Sequence, residues 1–196
     1  TIAKTAPQSA DAARLAAAVE AANAAVIEAA LNGLGKPGMG CTATCAYIEN
    51  DTLAIAHVGD SRAYLLHEGT LIRVTRDHSY VEELVDAGEI TADEARVHPN
   101  RSVITRALGS DPAMYADHFT LHIEEGDRLI LCSDGLSSMI PDSDIENIAT
   151  QSSTAQICVD NLVDAALAAG GHDNVTVVVV DLVDDGVMRE AKRVRR

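Results

Sequence analysis

Three aspartates stand where a strand-like apolar run meets small or turn-forming residues: Asp77 in Thr-Arg-Asp-His-Ser, Asp134 in Cys-Ser-Asp-Gly-Leu, and Asp173 in Gly-Gly-His-Asp-Asn-Val-Thr. A carboxylate so placed leaves the sheet and is free to meet a cation. Asp134 follows Leu129-Ile-Leu-Cys132 and precedes Gly135, whose backbone turns sharply at little steric cost. Asp173 precedes a β-branched run from within a Gly-Gly turn. Hard divalent ions such as Mg²⁺ and Mn²⁺ take oxygen donors in near-octahedral array and keep several waters besides their carboxylates. Two or three aspartates therefore suffice to begin a site. Asp-Gly and Asp-Asn are also ordinary turn pairs, and each aspartate taken singly reads more simply as a turn residue.

Other chemistries fail on spacing. A cysteine-dependent phosphatase needs Cys-x5-Arg, and the sixth residues after Cys41, Cys45, Cys132 and Cys158 are Tyr47, Asp51, Ser138 and Asp164. Cys41 and Cys45 lie in a strand-like run, where four residues span about 13 Å, beyond disulfide reach. The four cysteines thus read as reduced, mostly buried thiols in a cytosolic setting. Gly33-Leu-Gly-Lys-Pro-Gly38 fits a dinucleotide-binding glycine pattern, but it follows a helix and precedes a strand, the reverse of the required context. His118 and His122 have a zinc-protease spacing, yet in a strand they too stand about 13 Å apart.

The elements that must position the aspartates follow from periodicity. From Ser9, an N-cap candidate, to Asn32 the residues Leu15, Val19, Ala22 and Val26 fall at helical spacing, and Gly33 follows as a stop. Short β runs succeed it at Cys41–Ile48, Thr52–Val58, Arg62–Leu66 and Leu71–Val74, and their tight spacing predicts antiparallel hairpins. The Gly59-Asp60-Ser61 stretch reads as one of the hairpin turns, with Asp60 structural, and Thr42 and Thr44 read as sheet residues. The polar stretch 80–100, with helical patterns at Val81–Ala87 and Ala92–Val97, reads as a flap. Strands are expected again at Ser102–Leu108, His118–Ile123 and Arg128–Cys132, then helices at Asp142–Ala149 and Thr154–Ala169. Val175–Leu182 reads as a buried central strand. Grouped strands and grouped helices predict an α+β fold of two packed antiparallel sheets flanked by helices. Its extent is a single domain over residues 1–185, with a basic tail at 186–196 that holds five of the fifteen basic residues.

The chain has 196 residues, 47% of them hydrophobic, enough for one sizeable core. Thirty acidic against fifteen basic residues give a net charge of −15, a field that repels nucleic acid and acidic membranes and tolerates divalent cations. Arg14, Glu20, Asn23 and Glu28 interrupt the richest apolar stretch, so no membrane segment is expected in this chain.

Six phrases stand in a fixed order: Gly38-Met-Gly-Cys-Thr-Ala-Thr44, Val58-Gly-Asp-Ser-Arg-Ala-Tyr-Leu65, Thr75-Arg-Asp-His-Ser79, Ile104-Thr-Arg-Ala-Leu-Gly109, Gly126-Asp-Arg-Leu-Ile-Leu-Cys-Ser-Asp-Gly-Leu136 and Gly171-His-Asp-Asn-Val-Thr-Val177. Together, from Ser9 to Leu182, they closely resemble the type 2C, or PPM, family of metal-dependent protein serine/threonine phosphatases in its bacterial form. The resemblance implies a two-sheet sandwich with a binuclear Mg²⁺ or Mn²⁺ centre, at which Asp134 and Asp173 match metal ligands and Asp77 matches the carboxylate of an additional, weaker metal. It implies hydrolysis of phosphoserine and phosphothreonine in proteins by activated water, a flap linked to substrate selection, and a cytoplasmic protein opposed to a serine/threonine kinase. The family's upstream phosphate-holding Arg and Asp-Gly-x-Gly-Gly segment have no counterpart before Ser9, so the chain is expected to lack its N-terminal segment. With its first strands missing, it should expose sheet edges and aggregate or recruit strands from a partner. The competing expectation is a non-catalytic module that binds a kinase or phosphoprotein without turning it over.

Overall fold

The structure, a computed structural model, describes residues 11–183. They form two compact units, one of residues 11–62 and 75–122, the other of residues 63–74 and 123–183.

In the first unit α1 (Ala12–Leu31) begins at Asp11, whose carboxylate accepts from the Ala13 and Arg14 amides at 3.1 and 3.2 Å. Ser9, the expected cap, lies outside the described residues, and Asp11 satisfies the orphan donors instead. The buried face of α1 (Leu15, Ala16, Val19) packs with Ala54, Ala56 and Val58 of β2 (Thr52–Val58). The fully buried Leu15 and Val19 each contribute about 1.5–3 kcal/mol. Two polar residues of the helix are held by the same unit. Buried Asn23 donates to Asp111 O at 2.7 Å and accepts from Gly109 N–H at 2.7 Å, while Glu20 accepts from Ala116 N–H at 3.2 Å. β2 is the centre of a three-stranded antiparallel sheet, between β1 (Ala43–Glu49) and β5 (Asp117–His122).

The second sheet has the order β4-β3-β6-β7, from β3 (Arg62–His67), β4 (Thr70–Arg73), β6 (Arg128–Cys132) and β7 (Val177–Asp181). Glu68 and Gly69, at φ +48° and +79°, make the two-residue turn that sets the β3–β4 register at His67 opposite Thr70. Helices α4 (Asp134–Ser137), α5 (Asp142–Gln151) and α6 (Ala155–Ala168) supply Leu136, Ile145, Ala149, Cys158 and Leu162 to a core shared with Tyr64, Ile130 and Cys132. The buried Arg128 closes the far end of β6, donating to Asp181 and to the carbonyls of Ala149 and Ser152.

The α+β architecture of two antiparallel sheets with helices is therefore present, and four local expectations are corrected. Gly59-Asp60-Ser61 is not a hairpin turn, because β2 and β3 belong to different sheets. Ser102–Leu108 is not a strand: only the isolated bridges Ser79↔Ile104 and Cys41↔Leu108 form, since each stretch meets a different partner at one residue. β7 is a terminal strand of its sheet among the described residues rather than a central one, and Val178 is exposed. Of the four free cysteines only Cys132 and Cys158 are buried. The basic tail at 186–196 lies outside the described residues.

Candidate metal-binding site

The β6–β7 ladder runs antiparallel from Arg128↔Asp181 to Cys132↔Val177, so the end of β6 and the start of β7 coincide. It continues one step further through Ser133. The Ser133 amide donates to Thr176 O at 3.0 Å; its hydroxyl accepts from the Thr176 amide at 3.1 Å and donates to Asn174 O at 3.2 Å. This stitch carries two aspartates to the same end of the ladder: Asp134, half-buried at the start of α4, and Asp173, exposed just ahead of Asn174. A Cβ on Gly135 would stand 2.3 Å from Asn174 O, so only glycine lets the two backbones approach this closely. Asp173 Oδ1 accepts from the Asn174 amide at 2.7 Å. Oxygen donors on a strand-end turn suit a hard divalent ion that keeps waters of its own.

Asp77 lies in the other unit, in the loop between β4 and α2 (Tyr80–Asp86). Its carboxylate sits in the fork of Arg62, with Nε at 2.9 Å from Oδ1 and Nη2 at 2.8 Å from Oδ2. Both side chains are largely buried, at 9% exposed for Asp77 and 14% for Arg62. The rest of the loop is fastened to the end of β2. His57 Nε2 bonds Arg76 O at 3.0 Å, the His78 amide donates to Gly59 O at 2.7 Å, and the Gly59 amide donates back to His78 Nδ1 at 3.0 Å. Gly59 has φ +109°, and a Cβ there would meet Thr42 Cγ2 at 2.3 Å. Among the described residues, no three His, Cys, Asp or Glu side chains gather as a metal-holding cluster.

A polar network surrounds His78 that residue spacing does not reveal. Its Nε2 lies 3.0 Å from Asp117 Oδ2, and Arg106 Nη1 donates to Asp117 Oδ1 at 2.6 Å while Nη2 donates to Tyr115 Oη at 2.8 Å. Because His78 Nδ1 accepts a backbone amide, its single proton resides on Nε2 and points at Asp117. Burial first, with the Arg106 charge in support, holds this imidazole below its ordinary pKa against the pull of Asp117. Burial pushes Asp117 up, but the hydrogen bonds from His78 and Arg106 outweigh it and keep the carboxyl below its usual range. His57, fully buried and beside His78, is pushed down to about 4 by burial first and by that neighbour second. Two of these residues lie in phrases already singled out, His78 and Arg106. Asp117 lies in none, and only the alternation of β5, which turns it to the inner face with Phe119 and Leu121, could have marked it. His118 and His122 are on the exposed face of that strand.

The sequence profile of the family described as Protein phosphatase 2C matches residues 6–175. The chain belongs to this family. Among relatives of the protein phosphatase 2C type, the serine/threonine phosphatase stp of Listeria welshimeri is 40% identical over 144 residues, 74% of this chain and 57% of that protein. The serine/threonine protein phosphatase PstP of Mycobacterium tuberculosis is 43% identical over 175 residues, 88% of this chain and 33% of that protein. The chain thus spans a third to a little over half of these relatives. The crystal structure of M. tuberculosis PstP/Ppp superposes with a TM-score of 0.83 at 40% identity, covering 91% of this chain and 75% of that one. The PstP catalytic domain in complex with two manganese ions gives 0.82 at 37% identity, covering 93% and 77%. No helix among the described residues is long and apolar enough to cross a membrane.

Proposed function

We propose that this chain is the larger part of a metal-dependent protein serine/threonine phosphatase domain, extending over residues 1–185, that hydrolyses phosphoserine and phosphothreonine in proteins. The observation that carries the reading is the Ser133 stitch, which brings Asp134 and Asp173 from 39 residues apart to one end of the β6–β7 ladder. Their carboxylates are the residues we assign to Mg²⁺ or Mn²⁺, and the manganese-bound relative supports that choice of ion. Bound there, such ions supply Lewis acidity that turns water into a nucleophile near neutral pH and screen charge developing on phosphoryl oxygens. Ser133 and Gly135 fix the backbone from which both carboxylates project. Arg62 holds Asp77, assigned to an additional, weaker cation, in one orientation, so a cation at Asp77 would share its carboxylate with the guanidinium. The flap that follows Asp77 is assigned to contacts with the phosphoprotein. A serine/threonine kinase is the proposed opposing partner, and the cytoplasm the proposed setting.

The test is Mn²⁺-dependent hydrolysis of p-nitrophenyl phosphate by the intact gene product. Changes outside a metal's own ligands cost 10–100-fold, so Asp134→Asn and Asp173→Asn are each expected to lower kcat by about 100-fold or more, and EDTA to abolish turnover. Full activity in either variant would remove the assignment. A second reading, a phosphatase-like module that binds a kinase or phosphoprotein without turnover, draws on the lack of a three-member metal cluster among the described residues. Manganese binding by calorimetry without hydrolysis would favour it.

A further inference from the structure

The flap leaves and rejoins its unit at neighbouring points. Ser79 bridges Ile104, the Tyr80 amide donates to Val103 O at 2.9 Å, and the Thr105 amide donates to His78 O at 2.8 Å. Everything between, including α2 and α3 (Ala92–Val97), is an excursion rooted at these two limbs. Each limb also sends one side chain to the same carboxylate. His78, from the entering limb, reaches Asp117 Oδ2; Arg106, from the leaving limb, reaches Oδ1. Asp117 itself is the first residue of β5, paired in register with His57 of the central strand, so the carboxylate projects from a strand of the sheet and not from the flap. Arg106 is further braced by lying 4.0 Å from the centre of the Tyr115 ring.

We propose that Asp117 is a positioning residue for the flap: one carboxylate clasps both limbs and sets how far the excursion opens, without touching the reacting groups. Asp77 lies outside the clasp, because Arg62 holds its carboxylate and His57 holds the preceding carbonyl. The part of the inference that concerns substrate rests on the phosphatase reading; the part that concerns flap order does not.

The experiment compares intact wild-type protein with Asp117→Asn, which keeps the shape and loses the charge. Losing charge from two hydrogen bonds is expected to accelerate amide exchange across residues 80–103 by about tenfold or more, while amides of β1 and β2 change by less than about twofold. Arg106→Gln, which releases one limb only, is the companion variant should Asp117→Asn not fold, and it is expected to give a smaller acceleration confined to the same residues. KM for a phosphopeptide is expected to rise severalfold in both, with kcat for p-nitrophenyl phosphate kept. Unchanged exchange in the flap, or equal acceleration in β1 and β2, would overturn the clasp. Loss of exchange protection in the flap combined with a fully active Asp134→Asn protein would leave the clasp standing and remove the phosphatase reading.

Discussion

Arg62 and Asp77 show how much a single residue's role depends on its counter-charge. An ion pair this buried is destabilised strongly when one member is removed, because the other stays behind without its partner. Arg62→Ala is expected to cost about 3 kcal/mol in urea unfolding, and the Arg62→Ala/Asp77→Ala double variant less than the sum of the singles. If Asp77 takes a cation, Mn²⁺ should stabilise Arg62→Ala more than it stabilises the double variant, which keeps only the gain from Asp134 and Asp173. His57 gives a pH prediction. Its imidazole binds a proton near 6.5 in the unfolded chain and only near 4 in the folded one, so the unfolded state holds more protons between these values. Stability therefore rises with pH across that window and is lost as pH falls from about 6.5 towards 4. His57→Gln should flatten that slope in denaturation midpoints measured from pH 7 to 4.

At the scale of elements, the approach of α4 to the loop before β7 depends on the absence of one methyl group. Gly135→Ala would drive a Cβ into Asn174 O, and overpacking against backbone costs about 1–3 kcal/mol. The variant should melt at lower temperature and, on the phosphatase reading, lose activity beyond what its stability predicts, because the Asp134 and Asp173 backbones are pushed apart. The same junction marks what was legible in the sequence. The β6 run and the β-branched β7 run read correctly, since their signals are local, whereas Asp134-Gly135, read as a turn, opens the short helix α4. That β7 ends its sheet, and that β2 and β3 part into different sheets, was not legible, because a strand's neighbours are set by distant segments and not by its own pattern. Ser102–Leu108 misled for the same reason: Val103 and Ile104 have strand composition, but the stretch forms only the isolated bridges at Ile104 and Leu108, each to a different segment. Asn23 and Glu20 read only as polar breaks in an apolar stretch, whereas the buried Asn23 and the exposed Glu20 each accept from an amide some ninety residues away.

For the whole molecule, a net charge of −15 makes cation binding favourable at long range and sensitive to salt. A ligand bound only by the folded state stabilises by about 2.7 kcal/mol at a hundred times its Kd, so saturating Mn²⁺ should raise Tm by several degrees. EDTA should reverse the gain, and an Asp134→Asn/Asp173→Asn variant should show little of it. Equal shifts in wild type and variant would place the bound ion elsewhere. The path of the chain through its two units has a consequence in time. The β3–β4 hairpin can close within microseconds of emerging, but its sheet neighbour β6 comes about sixty residues later, which a ribosome takes roughly 3–12 s to deliver. Throughout that interval the nascent polypeptide carries a finished hairpin with a bare inner margin, which is where a cotranslational chaperone would be expected to bind.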